Sequence, residues 1–294
     1  MMRIGDYGMR ISSSMICWNE AQTIDLALKS LVNFADEIVI IDTGSFDGTQ
    51  KIAQETMDSL NLSGQIKQAR ITKLVDARLK SFFLCDGDWV LMLDSNIVLS
   101  NALKQEMLKH INNSKDIGVM RSLNLMGDYC HFFKNRPFMA GHRIFVNRKS
   151  AKWDKNVDRL KFIGAGKRYE NWAVNLSRVR PAWRSFYRGE PFDSRYFKKG
   201  NKKHRLKMNC MARWQVMDKY YSMVDFLVEE EGKSFEDVKR IAPEWYLRQL
   251  QLEAIPLTTE FKQGLPEAIM EELKNPRYKL IKIKGKIVGR EPEL

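Results

Sequence analysis

The feature that most constrains this sequence is the stretch Asp88–Asn96, in which the apolar run Trp89–Leu93 is followed at once by Asp94. The run is too short for a buried helix and is typical of a strand covered on both faces, as in a parallel sheet. In open α/β sheets, ligands bind beyond the carboxyl ends of the strands. Asp94 therefore lies where a ligand-binding carboxylate is expected, although an isolated aspartate in such a place more often caps a turn.

Two earlier segments repeat this arrangement of strand and polar end. Arg10–Trp18 predicts a strand followed by Asn19 and Glu20, and Ile38–Ile41 predicts a second strand that ends at Asp42. Helices are predicted over 21–33, 47–60 and 75–85, with a short third strand within 65–71. This alternation predicts an α/β fold with a mostly parallel sheet and helices on both faces. The polar strand ends would then line one crevice, suited to a nucleotide.

Glycine and cysteine spacing exclude several common kinds of site. The glycines match neither the dinucleotide-binding fingerprint nor the phosphate-binding P-loop. Asp42–Ser45 spells a motif of aspartic proteases, but those are β-rich, which the helix–strand alternation contradicts. No Cys-x-x-Cys spacing occurs, which predicts buried, reduced thiols at Cys17, Cys85, Cys130 and Cys210. Without an apolar stretch of membrane-spanning length or a signal-peptide core, the expected location is the cytoplasm.

Positive charge is concentrated in one third of the chain. Residues 121–210 contain 23 Lys and Arg against 6 Asp and Glu, a surplus of 17 positive charges, whereas the whole chain carries +13. A field of this sign attracts phosphate-rich partners. General solubility does not require the charge to be segregated, so we interpret this region as one that faces a polyanion.

Three blocks of sequence carry a family resemblance. They are Met15–Glu20, Ala35–Thr49 and the segment from Asp76 to Asn96, and their order and spacing cover roughly residues 10–100. Together they resemble the family 2 nucleotide-sugar glycosyltransferases, which have the Rossmann-like GT-A fold. We expect a GT-A domain over residues 1–190, with a donor half (10–100) and an acceptor half (101–190). A basic, mostly helical region over 191–294 would follow, packed on the sheet domain.

The resemblance also implies roles for the strand-end residues. Asn19, Glu20 and Asp42 would hold the nucleoside of the donor, favoured to be a UDP-sugar, and Arg78 would lie near the base or the diphosphate. Asp94-Ser95-Asn96 takes the place of the family's Asp-x-Asp motif, which implies a divalent cation, Mn²⁺ or Mg²⁺, at Asp94 and Asn96. Asn96 offers a neutral carbonyl oxygen in place of a carboxylate, so the cation would be held more weakly. In the alternative, cationic side chains of the basic segment supply part of the positive charge that a metal ion would supply to the diphosphate.

The catalytic base is harder to assign. An inverting transfer needs a carboxylate that takes the proton of the acceptor hydroxyl. Gly141–Arg148 resembles the family segment that precedes a His-Glu pair, but residues 153–159 contain no such pair. Asp158 is the first candidate, Asp154 the second and Glu170 a distant third. A surface ion pair between Asp158 and a neighbouring cation is an equal alternative.

Aromatic and basic residues interleave from residue 195 to residue 207. Cations suit phosphates and aromatic faces suit unstacked bases or sugar rings, although a single run of this kind is usually a solvated helix start. The predicted acceptor-binding residues are Arg143, Arg195, Lys198, Lys199, Lys202, Lys203 and Arg205. Beyond the basic run we predict helices over 208–228, from Ser234, and over 265–273, then a hairpin within 278–288.

Three functions fit these observations. The favoured one is transfer of a sugar to a hydroxyl on a polyanion. Among polyanions, a hydroxymethylated base in DNA, as in virus-encoded DNA modification, is favoured by a narrow margin. The basic run lacks the amphipathic apolar face that interfacial enzymes need in addition to charge. Because most relatives build envelope glycans, an anionic acceptor such as lipopolysaccharide core, with a membrane surface as partner, is the alternative. An inactive nucleic-acid-binding protein with the same fold is the third.

Overall fold

A ten-stranded mixed sheet lies at the centre of the structure, a computed structural model that describes residues 8–69, 74–111, 116–126, 129–133, 137–154, 159–162, 166–179, 234, 254–274, 278–283 and 286–292. Its strands and those of two small hairpins are β1 (Ile11–Cys17), β2 (Glu37–Asp42), β3 (Gly64–Gln68), β4 (Trp89–Asp94), β5 (Ile97–Val98), β6 (Ile117–Met126), β7 (His131–Phe133), β8 (Phe138–Asn147), β9 (Ala151–Asp154), β10 (Arg159–Phe162), β11 (Gly166–Arg178), β12 (Ala254–Pro256), β13 (Tyr278–Ile283) and β14 (Lys286–Pro292). The helices are α1 (Ile24–Lys29), α2 (Thr49–Ser59), α3 (Leu74–Phe83), α4 (Asn101–Ile111), α5 (Thr259–Gln263) and α6 (Glu267–Lys274), with a short 3-10 turn at Arg148–Ser150.

The first part of the chain builds a run of four parallel strands, in the order β3-β2-β1-β4. β1 lies between β2 and β4 and pairs with both in parallel, without a break in register. Each crossover between successive strands contains a helix, as parallel pairing requires. The predicted fold, a mostly parallel central sheet with helices, is confirmed, and the helix α1 is shorter than the predicted segment 21–33.

Side chains alternate along these strands and feed two cores. On one face, Met15 and Leu91 pack with residues of α1, α2 and α4. On the other face, Val39 and Val90 pack with Phe82 of α3. Because helices cover both faces, the even and odd positions are both buried, which explains why the strands are continuous apolar runs in the sequence.

The second part of the sheet is built from distant segments of the chain. β8 pairs antiparallel with β4 and β6, and β11 pairs parallel with β6 and antiparallel with β5. Residues 254–274 join this part: β12 pairs with β7 at the edge, and Leu257, Leu265 and Ile269 pack on Leu123 and Val174. A segment near the C-terminus therefore completes the core under the acceptor half.

Other expectations have mixed outcomes. The terminal hairpin is confirmed as β13 and β14, and the predicted helix over 265–273 is confirmed as α6. Cys17 and Cys85 are buried free thiols as expected, but Cys130 is exposed, so its predicted burial is wrong. Cys210 and the helix predicted over 208–228 lie outside the described residues, as does the one predicted from Ser234 apart from that residue itself. In the described part of the chain, no helix is long and apolar enough to cross a bilayer.

Candidate functional site

Three strand ends meet at one edge of the sheet. Cys17 of β1 lies beside Asp42 of β2, and Ile16 lies beside Asp94 of β4. We call the region around these ends the strand-end crevice, and its residues are Asn19, Glu20, Asp42, Arg78, Asp94 and Asn96. The convergence predicted from the sequence is therefore present in the structure.

Asn19 shapes the first loop of the strand-end crevice. It has a positive φ of 51°, which asparagine tolerates better than most residues. Its N–H donates to Ser45 Oγ at 2.7 Å, and its Oδ1 accepts the N–H of Phe46 at 2.8 Å. These bonds tie the loop after β1 to the loop after β2.

Asp42 organises the loop that follows it. The residue is fully buried, and its carboxylate accepts the N–H of Gly44 at 3.3 Å and of Ser45 at 3.0 Å, and the Ser45 hydroxyl at 2.7 Å. Gln50 of α2 also donates its side-chain amide to this carboxylate. Asp42 therefore stabilises the conformation of the loop after β2. Its predicted contact with a nucleoside stays a prediction.

Glu20 links the loop after β1 to the turn after β4. It is fully buried, and its N–H donates to Thr49 Oγ1 at 2.7 Å. Its Oε2 accepts from Thr23 Oγ1 at 3.1 Å, and its Oε1 accepts from Asn96 Nδ2 at 3.3 Å. Asn96 thus uses its amide N–H to hold Glu20.

Arg78 and Asp94 form an ion pair across the strand-end crevice. Asp94 follows Val90 and Met92 on the sheet face covered by α3, which carries Arg78. Arg78 Nη2 lies 2.5 Å from Asp94 Oδ1, and the side chains are 25% and 22% exposed. This partial exposure keeps the pair accessible to a ligand at the strand ends.

The ligands available to a divalent cation are few. No three His, Cys, Asp or Glu side chains among the described residues are grouped so as to hold a metal ion. Asp94 is paired with Arg78, and Asn96 has only its carbonyl oxygen left to offer. Mg²⁺ and Mn²⁺ prefer several oxygen ligands, carboxylates foremost. The donor set therefore fits a resident divalent cation poorly.

Two residues at this edge were missed from the sequence. Asn175 of β11 pairs in register with Asn124 of β6, donates Nδ2 to Asn124 Oδ1 at 2.9 Å, and is almost fully buried, like Asn124. The next N–H along β11, that of Leu176, donates to the carbonyl of Asn96 at 2.8 Å. Each of these residues could have been recognised in the sequence as an asparagine flanked on both sides by leucine or valine within a strand. In the structure, the pair lies where the two parts of the sheet meet.

Comparison with known proteins decides the family. A family model described as glycosyl transferase family 2 matches residues 12–166, which is more than half of the chain. The chain belongs to glycosyl transferase family 2. The match begins within β1 and ends at the start of β11, so it includes every residue of the strand-end crevice.

Curated relatives are similar to part of the chain. An uncharacterized glycosyltransferase of Rickettsia bellii is 31% identical over 98 residues, 33% of this chain and 31% of the relative. A TPR repeat-containing protein of Synechococcus elongatus is 24% identical over 185 residues, 62% of this chain and 41% of the relative. The chain spans about a third of the length of most of the curated relatives it matches.

Solved structures that match part of the chain include glucosyl-3-phosphoglycerate synthase from Mycobacterium tuberculosis. Its complex with Mg²⁺ and uridine diphosphate is 21% identical with a TM-score of 0.33, and the match covers 40% of this chain and 47% of that one. A second structure of that enzyme, with Mn²⁺, uridine diphosphate and phosphoglyceric acid, is 16% identical with a TM-score of 0.35, over 49% and 57% of the two chains.

The three candidate catalytic bases lie in different parts of the chain, and one of them lies outside the described residues. Asp154 ends β9, Asp158 lies outside the described residues, and Glu170 lies in β11. The N–H of Glu170 donates to Glu106 Oε1 at 3.0 Å, beside a cavity of about 270 Å³ along α4. Glu170 precedes Asn175 by five residues, or about 16 Å along a strand, so the structure does not bring it to the strand-end crevice.

Of the predicted acceptor-binding residues, only Arg143 belongs to the described part of the chain. It immediately precedes Ile144 in β8, and Ile144 pairs with Met92 of β4. Because the two strands are antiparallel, Arg143 lies one position closer to the strand-end crevice than Ile144 does. Arg195, Lys198, Lys199, Lys202, Lys203 and Arg205 lie outside the described residues.

Two further side chains line the first loops. Trp18 and Phe46 meet edge to face with ring centroids 6.5 Å apart, and Phe46 is 61% exposed.

Burial, together with the carboxylates of Asp42 and Glu20, raises the pKa of the Cys17 thiol well above its usual range. Cys17 is therefore a neutral thiol below the strand-end crevice and not a nucleophile.

Proposed function

We propose that this chain transfers a sugar from a nucleoside diphosphate to an acceptor hydroxyl, with inversion at the anomeric carbon. The observation that supports it most is the strand-end crevice itself, where the polar ends of β1, β2 and β4 lie side by side and Arg78 pairs with Asp94, in a member of glycosyl transferase family 2. Carboxylates and amides suit a nucleoside, and a guanidinium suits a diphosphate.

In this reaction the acceptor oxygen forms a bond to the anomeric carbon while the bond from that carbon to the diphosphate oxygen breaks. The electron pair leaves with the diphosphate, and the hydroxyl proton passes to a carboxylate. Asp158 is the first candidate for that carboxylate and Asp154 the second. Arg78 donates hydrogen bonds to the diphosphate, and Asp94 holds Arg78 in place.

A UDP-sugar is the proposed donor. The neighbouring solved structures are complexes of another enzyme with uridine diphosphate, and the proposal for this chain rests on its own loops. The exposed ring of Phe46 and its neighbour Trp18 give a base an apolar surface beside Asn19 and Asp42. The Mn²⁺ or Mg²⁺ expected from the Asp-x-Asp position stays a prediction.

For the acceptor we propose a polyanion, and narrowly a hydroxymethylated base in duplex DNA. Support comes from the charge surplus of residues 121–210, which include the second part of β6 and all of β8 and β11 of the acceptor half. Exposed cations of this segment in the described part are Arg121, Lys149, Lys152 and Arg168. A target base has to flip out of the duplex, at a cost of a few kcal/mol that phosphate contacts must offset.

The test is mass spectrometry of candidate acceptors after incubation with a panel of nucleotide sugars. Hydroxymethylcytosine-containing DNA should gain one sugar mass with one donor, and unmodified DNA should gain none. Addition of sugar to a lipopolysaccharide core instead would establish the envelope-glycan alternative. Binding of DNA without binding of any nucleoside diphosphate would establish the inactive nucleic-acid-binding alternative and contradict the proposal.

A further inference from the structure

The strand-end crevice has one partly exposed carboxylate. Glu20 and Asp42 are fully buried, and both carboxylates are engaged by hydrogen bonds from the protein. Asp94 is the strand-end carboxylate that a ligand or a cation can reach, with 22% of its side chain exposed. It is also the one that holds Arg78.

Arg78 is placed where it can act on a diphosphate. Its side chain is 25% exposed, and its guanidinium lies 2.5 Å from Asp94, next to the ends of β1 and β4. A guanidinium stays charged at every physiological pH and offers five N–H donors in a planar fork. After one donor is used on Asp94, the others suit the paired oxygens of a phosphate.

Asn96 reinforces this arrangement. A carboxylate at this position would add a second charged ligand for a divalent cation, but the amide carries no charge. Its Nδ2 donates to Glu20, so the side chain is held by a fully buried partner. A cation that bound Asp94 would therefore have one charged ligand from the protein besides the oxygens of the diphosphate, and it would meet the positive charge of Arg78.

We infer that the guanidinium of Arg78, and not a bound Mn²⁺ or Mg²⁺, supplies the positive charge that meets the leaving diphosphate of the donor. The inference rests on the proposed function, because it concerns the same donor site. When the bond to the anomeric carbon breaks, its electron pair stays on the diphosphate and raises the negative charge there by one. Arg78 meets that charge with N–H donors, and no co-reactant is required.

The test is isothermal titration of the full chain with UDP, GDP, ADP and CDP, first after chelation with EDTA and then with added Mn²⁺. One nucleotide should bind the chelated protein, and Mn²⁺ should change its Kd by less than about threefold. Arg78→Ala should weaken binding to the chelated protein by about tenfold or more. Mn²⁺ should then partly restore binding in this variant, because Asp94 is no longer paired with a guanidinium and can accept a cation.

Two variants serve as controls for charge and fold. Lys80→Ala removes one exposed positive charge from the same helix and should leave nucleotide binding unchanged. Arg78→Lys keeps the charge without the planar fork and should bind more weakly than the wild type but more tightly than Arg78→Ala. Thermal unfolding of each variant shows whether the fold is kept, and Arg78→Lys remains informative if Arg78→Ala does not fold.

Different outcomes overturn different statements. Nucleotide binding that disappears with EDTA and returns with Mn²⁺ in the wild type would overturn the role of Arg78 and leave the proposed function intact. The same holds if Arg78→Ala and Lys80→Ala bind the nucleotide equally well. If none of the nucleotides binds with or without Mn²⁺, both the inference and the proposed function fail.

Discussion

The donor half and the acceptor half share one sheet but are built differently. In the donor half, β3, β2, β1 and β4 lie in unbroken parallel register, and a helix joins each strand to the next one along the chain. In the acceptor half, β6 pairs with β8 and β11 across register shifts, and β12 arrives from about 120 residues further along the chain. The donor half is therefore specified by local patterns, whereas the acceptor half depends on distant pairings.

Charge separates the two halves as well. The donor half places its carboxylates at the strand ends, where hydrogen bonds from Ser45, Thr23 and Asn96 hold two of them. Residues 121–190 of the acceptor half belong to a segment, 121–210, that has 23 Lys and Arg against 6 Asp and Glu. A site that depends on fixed geometry should be sensitive to single substitutions, and a surface that depends on net charge should respond to several at once.

The largest effect is expected for Asp94→Ala. Because Asp94 holds Arg78 beside the reacting bond, its loss should lower kcat by about 10²–10³ under saturating donor. The pair is about three-quarters buried, so the free energy of unfolding should fall by about 1–3 kcal/mol because the guanidinium loses its partner. Turnover and thermal melting are measured on the same preparation. Asp86→Ala, an exposed site just before β4, is the matched control, and near-normal turnover of Asp94→Ala would remove Asp94 from the site.

Asp42→Ala should affect stability as well as binding. The substitution leaves the N–H groups of Gly44 and Ser45 and the amide of Gln50 without their acceptor, which should cost about 2–4 kcal/mol of unfolding free energy. Nucleotide affinity should fall because the loop after β2 loses its shape. Urea denaturation and titration with UDP measure the two effects. Asp58→Ala, at an exposed position in α2, should change neither.

Asn96→Asp tests whether this position belongs to a metal site or to a buried hydrogen bond. If the Asp-x-Asp position binds a cation, the variant should show tighter metal dependence. The structure places the new carboxylate against Glu20, with both residues buried, so the pKa of one of them should rise. A carboxyl group whose pKa is raised by folding destabilises the protein above that pKa and is relieved below it. The stability deficit, about 1–3 kcal/mol near pH 7, should therefore shrink as the pH falls toward 5.

Asn96→Ala is the control for that experiment. It removes the same hydrogen bond without adding a charge, so its stability deficit should not change with pH over this range. Thermal unfolding at several pH values distinguishes the two variants. Equal pH profiles would contradict the contact between residue 96 and Glu20, and an Asn96→Asp protein that binds Mn²⁺ more tightly would favour the metal site.

The smallest single-site effects are expected in the basic run that follows the acceptor half, where positive charge is distributed over many residues. Replacing Lys198, Lys199, Lys202 and Lys203 by Ala should flatten the dependence of duplex DNA binding on salt, by up to about 0.9 in log–log slope for each phosphate that the variant no longer neutralises. Lys51, Lys67 and Lys80 are exposed lysines of the donor half, and their replacement by Ala should leave the slope unchanged. Fluorescence anisotropy over a salt series measures it. No binding at low salt would exclude DNA and favour the envelope-glycan acceptor.

The sequence alone was sufficient to place the strands of the donor half and their polar ends. The strand ends at Asn19, Asp42 and Asp94 could be placed because short apolar runs flanked by helices have few other solutions. Arg78 was assigned to the neighbourhood of the diphosphate only through the family motif. Its pairing with Asp94 required the tertiary structure, since α3 has to lie on the sheet face that the even-numbered residues of β4 share.

In the acceptor half, the sequence alone determined composition and charge, whereas the tertiary structure decided position. Asn124 and Asn175 are 51 residues apart and meet only because β6 and β11 pair in parallel. Leu257 and Ile269 belong to the core of this half because β12 adds to the sheet edge, a pairing that leaves no local pattern in the sequence. The physical reason is the same in both cases. Local periodicity reports which face of a segment is buried, but the partner that buries it is chosen by packing among segments far apart in the chain.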